Sequence, residues 1–150
     1  MSYRGKYTPI NPEKYEGNVN KITYDSLWER RFMVYCDTTS SILKWCREPF
    51  GIPYTSPIDN KQHKYFIDFW VKAKDSSGNI QTYLIEVKPD KQTKEPKLKK
   101  TPKTNKPTKR YINELTTYQV NVSKWLAAKN LCEDKKWKFV ILTEKNANFK

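Results

Sequence analysis

No stretch of the chain is apolar enough to span a bilayer, and the opening run Met1-Ser2-Tyr3-Arg4-Gly5-Lys6-Tyr7 lacks the hydrophobic centre of a secretory leader. The expectation is a soluble protein, intracellular where it is made, with no membrane partner. Cysteine is scarce. Cys36, Cys46 and Cys132 are odd in number, widely spaced and set in apolar or helical contexts, which favours reduced thiols over a disulfide frame or a zinc site. No internal repeat is visible. Negative charge is also short: 16 Asp+Glu against 29 Lys+Arg leave a formal +13 on 150 residues. A polyanion such as nucleic acid is the natural partner of such a chain, through phosphate contacts and counterion release; a membrane surface is the weaker alternative. At this length one domain with a modest core, residues 1–150, is expected.

Along that domain, residues 1–21 carry Pro9, Pro12 and Gly17 among polar and aromatic positions without any period. They read as an irregular arm whose tyrosines pack on the body or on DNA. Ser26-Leu27-Trp28-Glu29 fits a capping box and opens a helix as far as Asp37, with Leu27, Trp28, Phe32, Val34 and Tyr35 as its apolar contacts. Short strands are expected over 42–45 and 52–54, split by Glu48-Pro49. Residues 65–74 and 80–87, joined by Asp75-Ser76-Ser77-Gly78-Asn79, read as a hairpin, because Gly and Asn tolerate the positive φ of a tight reversal. Residues 89–110 hold four of the nine prolines, interleaved with Lys and Thr, and cannot build a core. A helix over 111–131 follows, with Leu115, Tyr118, Val122, Trp125, Leu126 and Ala128 near its apolar period, then a buried strand over 137–142. This order predicts an α/β layer with the hairpin central and helices flanking a sheet.

The chemistry concentrates in the hairpin. Asp68 lies within the apolar run Tyr65-Phe66-Ile67-Asp68-Phe69-Trp70-Val71, where a lone charge is costly. In Tyr83-Leu84-Ile85-Glu86-Val87-Lys88, strand alternation puts Leu84, Glu86 and Lys88 on one face, with the last two about 6–7 Å apart at their α-carbons. Pairing symmetric about Ser77 would set Asp68 opposite Glu86. A hard divalent cation such as Mg²⁺ takes one or two carboxylates plus waters and phosphate oxygens, and an adjacent lysine can hold or help deprotonate a water. That is equipment for cutting a phosphodiester. His63, the only histidine, invites a general-base role that such chemistry does not need; a polar contact at a strand start is its plainer reading.

These residues resemble the PD-(D/E)xK nuclease superfamily, whose core is a helix, a hairpin bearing metal ligands, a further helix and a strand. Asp68, Glu86 and Lys88 match its signature, with Ile67 where the superfamily has proline. Ser26 to Arg30, His63 to Phe69, Asn121 to Ala128 and Phe139 to Glu144 extend the likeness to TnsA-type endonucleases. The length and the run from Tyr7 to Tyr15 are similar to those of nucleases that complete the heads of contractile-tailed phages. The resemblance implies a restriction-endonuclease-like core with a mixed β-sheet, Mg²⁺ held by Asp68, Glu86 and the Val87 carbonyl, and a water activated by Lys88. It also implies Glu29 completing the acidic cluster, although that position serves a capping box equally well. Double-stranded DNA would be cut to 5′-phosphate and 3′-hydroxyl ends by a minor virion component, made in the host cytoplasm and meeting head or portal proteins.

The tract from Lys88 to Arg110 holds ten basic and two acidic residues. Lys91, Lys94, Lys97, Lys99, Lys100, Lys103, Lys106, Lys109 and Arg110 are expected to clamp the DNA backbone, against the alternative of a merely solvated loop. Two other function classes stand beside the nuclease: a DNA-end or portal-binding virion protein without turnover, and a transposase-type endonuclease subunit or junction resolvase.

Overall fold

The computed structural model describes residues 3–147; the first two residues of the expected arm lie outside them. Chain order runs β1 (Gly5–Lys6), 3-10 turns at Pro12–Lys14 and Val19–Lys21, β2 (Thr23–Tyr24), α1 (Leu27–Thr38), β3 (Ile42–Arg47) and β4 (Gly51–Thr55). After these come β5 (Gln62–Phe66), β6 (Phe69–Lys74), β7 (Ile80–Val87), a 3-10 turn at Asp90–Thr93, α2 (Lys109–Lys135) and β8 (Lys138–Leu142). This is the mixed α/β arrangement that the sequence implies. A four-stranded sheet in the order β3-β6-β7-β8 lies at the centre, antiparallel except for the parallel β7–β8 pair.

Strand alternation divides the core in two. Phe69 and Val71 of β6 and Ile85 of β7 join Phe32, Met33 and Cys36 of α1, together with Trp45. Leu84, from the other face of β7, joins Trp125, Ala128 and Cys132 of α2 and Ile52, Tyr65 and Ile67 of the β4–β5 hairpin. Burying each such side chain contributes about 1.5–3 kcal/mol. Each helix therefore covers one face of the sheet, and the Leu84-Glu86-Lys88 face belongs to α2.

The helix starts follow from local chemistry. The Ser26 hydroxyl accepts the Glu29 N–H at 3.1 Å, and the Thr108 hydroxyl accepts the Tyr111 N–H at 3.1 Å. The second cap starts α2 two residues earlier than the apolar period alone suggests. Its far end runs on through Cys132, which is buried, and stops where Lys136 turns left-handed at φ 59°. Two expected core positions of α2 are wrong: Val122 is 41% and Leu126 58% exposed, while Asn121 is buried in their place. Trp125 and Ala128 lie on the buried stripe, 121-125-128-132, as expected; the stripe opens on a polar residue, which an apolar period passes over.

Three further expectations are refined. The run 65–74 is two strands, not one, because β5 pairs with β4 whereas β6 pairs with β3 and β7; the chain changes sheets at Ile67-Asp68. The last strand is half-buried, as suits a sheet edge. The arm packs on the body. Buried Asp37 accepts bonds from the Tyr7 hydroxyl (2.6 Å) and the N–H groups of Ile10 (2.7 Å) and Asn11 (2.9 Å). The Lys14 ammonium meanwhile donates to the carbonyls of Cys36, Asp37 and Thr39 at the end of α1. Tyr15 packs edge-on against Trp45, with ring centroids 4.6 Å apart.

Candidate active site

The β6–β7 register pairs Phe69 with Ile85 and Trp70 with Leu84, so Asp68, one step beyond the last pair, faces Glu86. This is the register that symmetry about Ser77 predicts. Asp68 is anchored by its neighbours: its Oδ2 accepts the Val87 N–H at 2.8 Å, and its carbonyl accepts the Glu48 N–H at 2.8 Å. Glu86 is buried and accepts a short hydrogen bond from the Tyr65 hydroxyl. Burial and then Glu86 push the Asp68 carboxyl well above the usual carboxylate range, against the opposing pull of the Val87 N–H and of Arg47. The two carboxyls are close enough to hydrogen-bond one another, which requires a proton between them, or a cation in its stead. Tyr65 is driven far up by burial and by Glu86, so it stays a neutral donor.

Lys88 lies on the same face, its ammonium 3.8 Å from Glu86 Oε2, and its N–H donates to the Leu142 carbonyl of β8 at 2.9 Å. Strand pairing therefore fixes Asp68, Glu86 and Lys88 together. Glu29 comes only to the edge of this group. Its Oε1 accepts the Asp25 N–H at 2.8 Å and meets Arg47 Nη1 at 3.0 Å. That guanidinium, only 6% exposed, also stands 3.8 Å from Asp68 Oδ1 and pairs with Asp25 and Glu48. Burial works against the Arg47 charge, but Glu29, Asp68 and Glu48 more than offset it. Among the described residues, no three His, Cys, Asp or Glu side chains gather as a metal-binding group. The donor set is thus two carboxylates, which suffices for a hard cation that keeps waters and phosphate oxygens as its other ligands.

Three members escaped the sequence reading. Arg47 left a weak signal, a cation at the end of β3 beside Glu48. Tyr65 left none. Lys124 of α2 was not separable from its neighbours by pattern alone, yet its ammonium lies 5.6 Å from the Tyr65 ring centroid. Burial, then Lys88, lowers its pKa, while Glu86 and Asp68 pull the other way.

The nine cations expected to clamp DNA are all exposed. Seven lie on the extended segment after Lys88, and Lys109 and Arg110 open α2. Two are already paired, Lys94 with Asp90 at 3.3 Å and Arg110 with Glu114 at 3.0 Å. Between this segment and α2 runs a groove of about 900 Å³, lined by Lys91, Lys97, Lys99, Asn113, Tyr118 and Asn121 among others. Two of its lining residues, Asp90 and Asn121, lie close in sequence to Lys88 and Lys124. His63 sits away from this chemistry, 2.9 Å from Asp59, as a strand-start contact.

Comparison with known proteins gives concordant findings. Residues 39–144 match the family described as TnsA-like endonuclease N terminal. The chain is also 44% identical over 144 residues to the head completion nuclease of Enterobacteria phage T4, covering 96% of this chain and 93% of that protein.

Proposed function

Because this chain belongs to the TnsA-like endonuclease family and is a DNA-hydrolysing enzyme, we propose that it cuts double-stranded DNA with Mg²⁺ at the Asp68–Glu86 pair, leaving 5′-phosphate and 3′-hydroxyl ends. The observation that carries this is the hairpin register, which opposes two buried carboxyls and sets Lys88 on their face. Two carboxyls so close, with the Asp68 proton held against its normal tendency, favour positive charge between them, and their donor atoms are hard oxygens.

Asp68, Glu86 and the Val87 carbonyl would hold the ion, which when bound neutralises charge on the phosphate oxygens and makes a neighbouring water more acidic. Lys88, whose ammonium lies 3.8 Å from Glu86 Oε2, would orient the attacking water. Tyr65 fixes the rotamer of Glu86 through its hydroxyl, and Arg47 steadies Asp68 and Glu29 from behind. The oxygen of water bonds to phosphorus as the P–O3′ bond breaks; the water gives up one proton to solvent, and the departing 3′ oxygen takes one up from solvent. The lysines of 91–109 and Arg110 grip the flanking phosphates. The name of the phage T4 relative supports a place in completing phage heads; we infer from that place a minor virion component that meets head or portal proteins.

Asp68→Ala, Glu86→Ala and Lys88→Ala should each lower plasmid cleavage in Mg²⁺ by on the order of 10²–10³-fold or more, with DNA affinity in Ca²⁺ largely kept. EDTA should stop the parent protein, and ligase should reseal its products without end repair. A full-rate Asp68→Ala variant would overturn the assignment.

A further inference from the structure

Lys124 differs from the other cations around the site. It comes from the helix rather than the hairpin, and its half-buried side chain sets the ammonium 5.6 Å from the Tyr65 ring centroid and 5.8 Å from that of Tyr54. Aromatic faces hold a cation in place without using up its N–H donors. Among the described residues Lys124 forms no salt bridge, whereas Arg47, Lys94, Arg110 and Lys145 are all spent on carboxylates. Tyr65 is itself tied through its hydroxyl to Glu86, so the platform under the ammonium is rigidly referenced to the catalytic carboxylate. Trp125 and Ala128, buried on the same helix, pack with Leu84 two residues before Glu86, which fixes α2 against the reacting face.

We propose that Lys124 is a second catalytic cation, donating a hydrogen bond to a non-bridging oxygen of the scissile phosphate from the α2 side, opposite Lys88. The inference rests on the nuclease reading and deepens it. As water bonds to phosphorus and the P–O3′ electron pair moves to the departing oxygen, charge on the non-bridging oxygens must be met by fixed positive groups. Lys124 stays protonated throughout and transfers nothing. An ammonium on two aromatic faces can meet that charge without first breaking an ion pair.

The test compares Lys124→Ala, Lys124→Gln and Lys124→Arg with the parent in single-turnover cleavage of a labelled duplex in Mg²⁺. Affinity for the same duplex in Ca²⁺ and the thermal midpoint are measured alongside. The first two variants should lose about 10²–10³-fold in rate, with affinity changed less than about fivefold and melting unchanged; Lys124→Arg should fall between, since a planar fork replaces a compact ammonium imperfectly. Lys124→Gln keeps the chain length over the tyrosines, so a packing defect in Lys124→Ala alone does not decide the outcome. Rates within threefold of the parent, or a rate loss matched by an equal loss of affinity, would overturn the proposal. A parent that cuts no DNA with any divalent cation would sink the nuclease reading and this one with it; an active parent beside an equally active Lys124→Ala sinks this one alone.

Discussion

At the scale of single residues, Asp68 carries the largest electrostatic conflict of the site. Its folded-state pKa stands well above the value of about 3.9 of an unfolded aspartate. Without a cation, the folded form therefore holds its proton after the unfolded chain has released it. The stability tied to that proton is fully present below about pH 4 and is lost as pH rises through the folded value. Asp68→Asn removes the titration while still offering an oxygen to the Val87 N–H. In EDTA its thermal midpoint should exceed that of the parent at pH 8, by a margin that shrinks towards pH 4. A margin independent of pH would show that the conflict is absent. Arg47 illustrates the complementary case, a buried cation retained because four carboxylates surround it. It explains why Glu29 points inward from α1 without joining the Asp68–Glu86 pair.

At the scale of elements, the extended segment 89–108 and the start of α2 form one working unit. The segment buries almost nothing and is rich in lysine, so its free energy of interaction is electrostatic and salt-dependent. Each lysine that meets a phosphate contributes about 0.9 to the slope of log K against log salt on duplex DNA. Replacing Lys97, Lys99, Lys100, Lys103 and Lys106 by serine should flatten that slope by up to about 4.5, leaving the thermal midpoint almost unchanged because all five side chains are exposed. An unaltered slope, measured by anisotropy across a salt series, would mean that the segment is idle. Point substitutions are preferable to excising 91–109, which would also remove Thr108, the residue whose hydroxyl starts α2.

At the scale of the whole molecule, the arm is a structural member. Asp37 gathers Tyr7, Ile10 and Asn11 onto the end of α1, and Lys14 caps the carbonyls there. Burial, with Asp37 next, raises the Tyr7 hydroxyl beyond any ordinary titration, which keeps it a donor. Asp37→Ala strands the buried Tyr7 hydroxyl and the part-buried N–H groups of Ile10 and Asn11 and should cost on the order of 3 kcal/mol, seen as a lower urea midpoint. It should also speed proteolysis within residues 3–21 more than elsewhere. Uniform protease resistance would show that the arm is held by Tyr15 on Trp45 alone. The same docking covers the α1 face of the sheet, the side away from Glu86 and Lys88.

The sequence by itself determined the element types and the opposition of Asp68 to Glu86. A turn of Asp, Ser, Gly and Asn at 75–79 sets the hairpin register, register sets which residues oppose, and period-2 alternation sets the face of Glu86 and Lys88. These are local rules, legible without knowing what packs where. Only the tertiary structure decided that the strand run breaks at Ile67-Asp68, that Asn121 displaces Val122 from the core, and that Arg47, Tyr65 and Lys124 converge on the carboxyls. Those outcomes depend on partners far away in the chain, above all on α2 closing over one face of the sheet, and no local period encodes where a distant helix comes to rest.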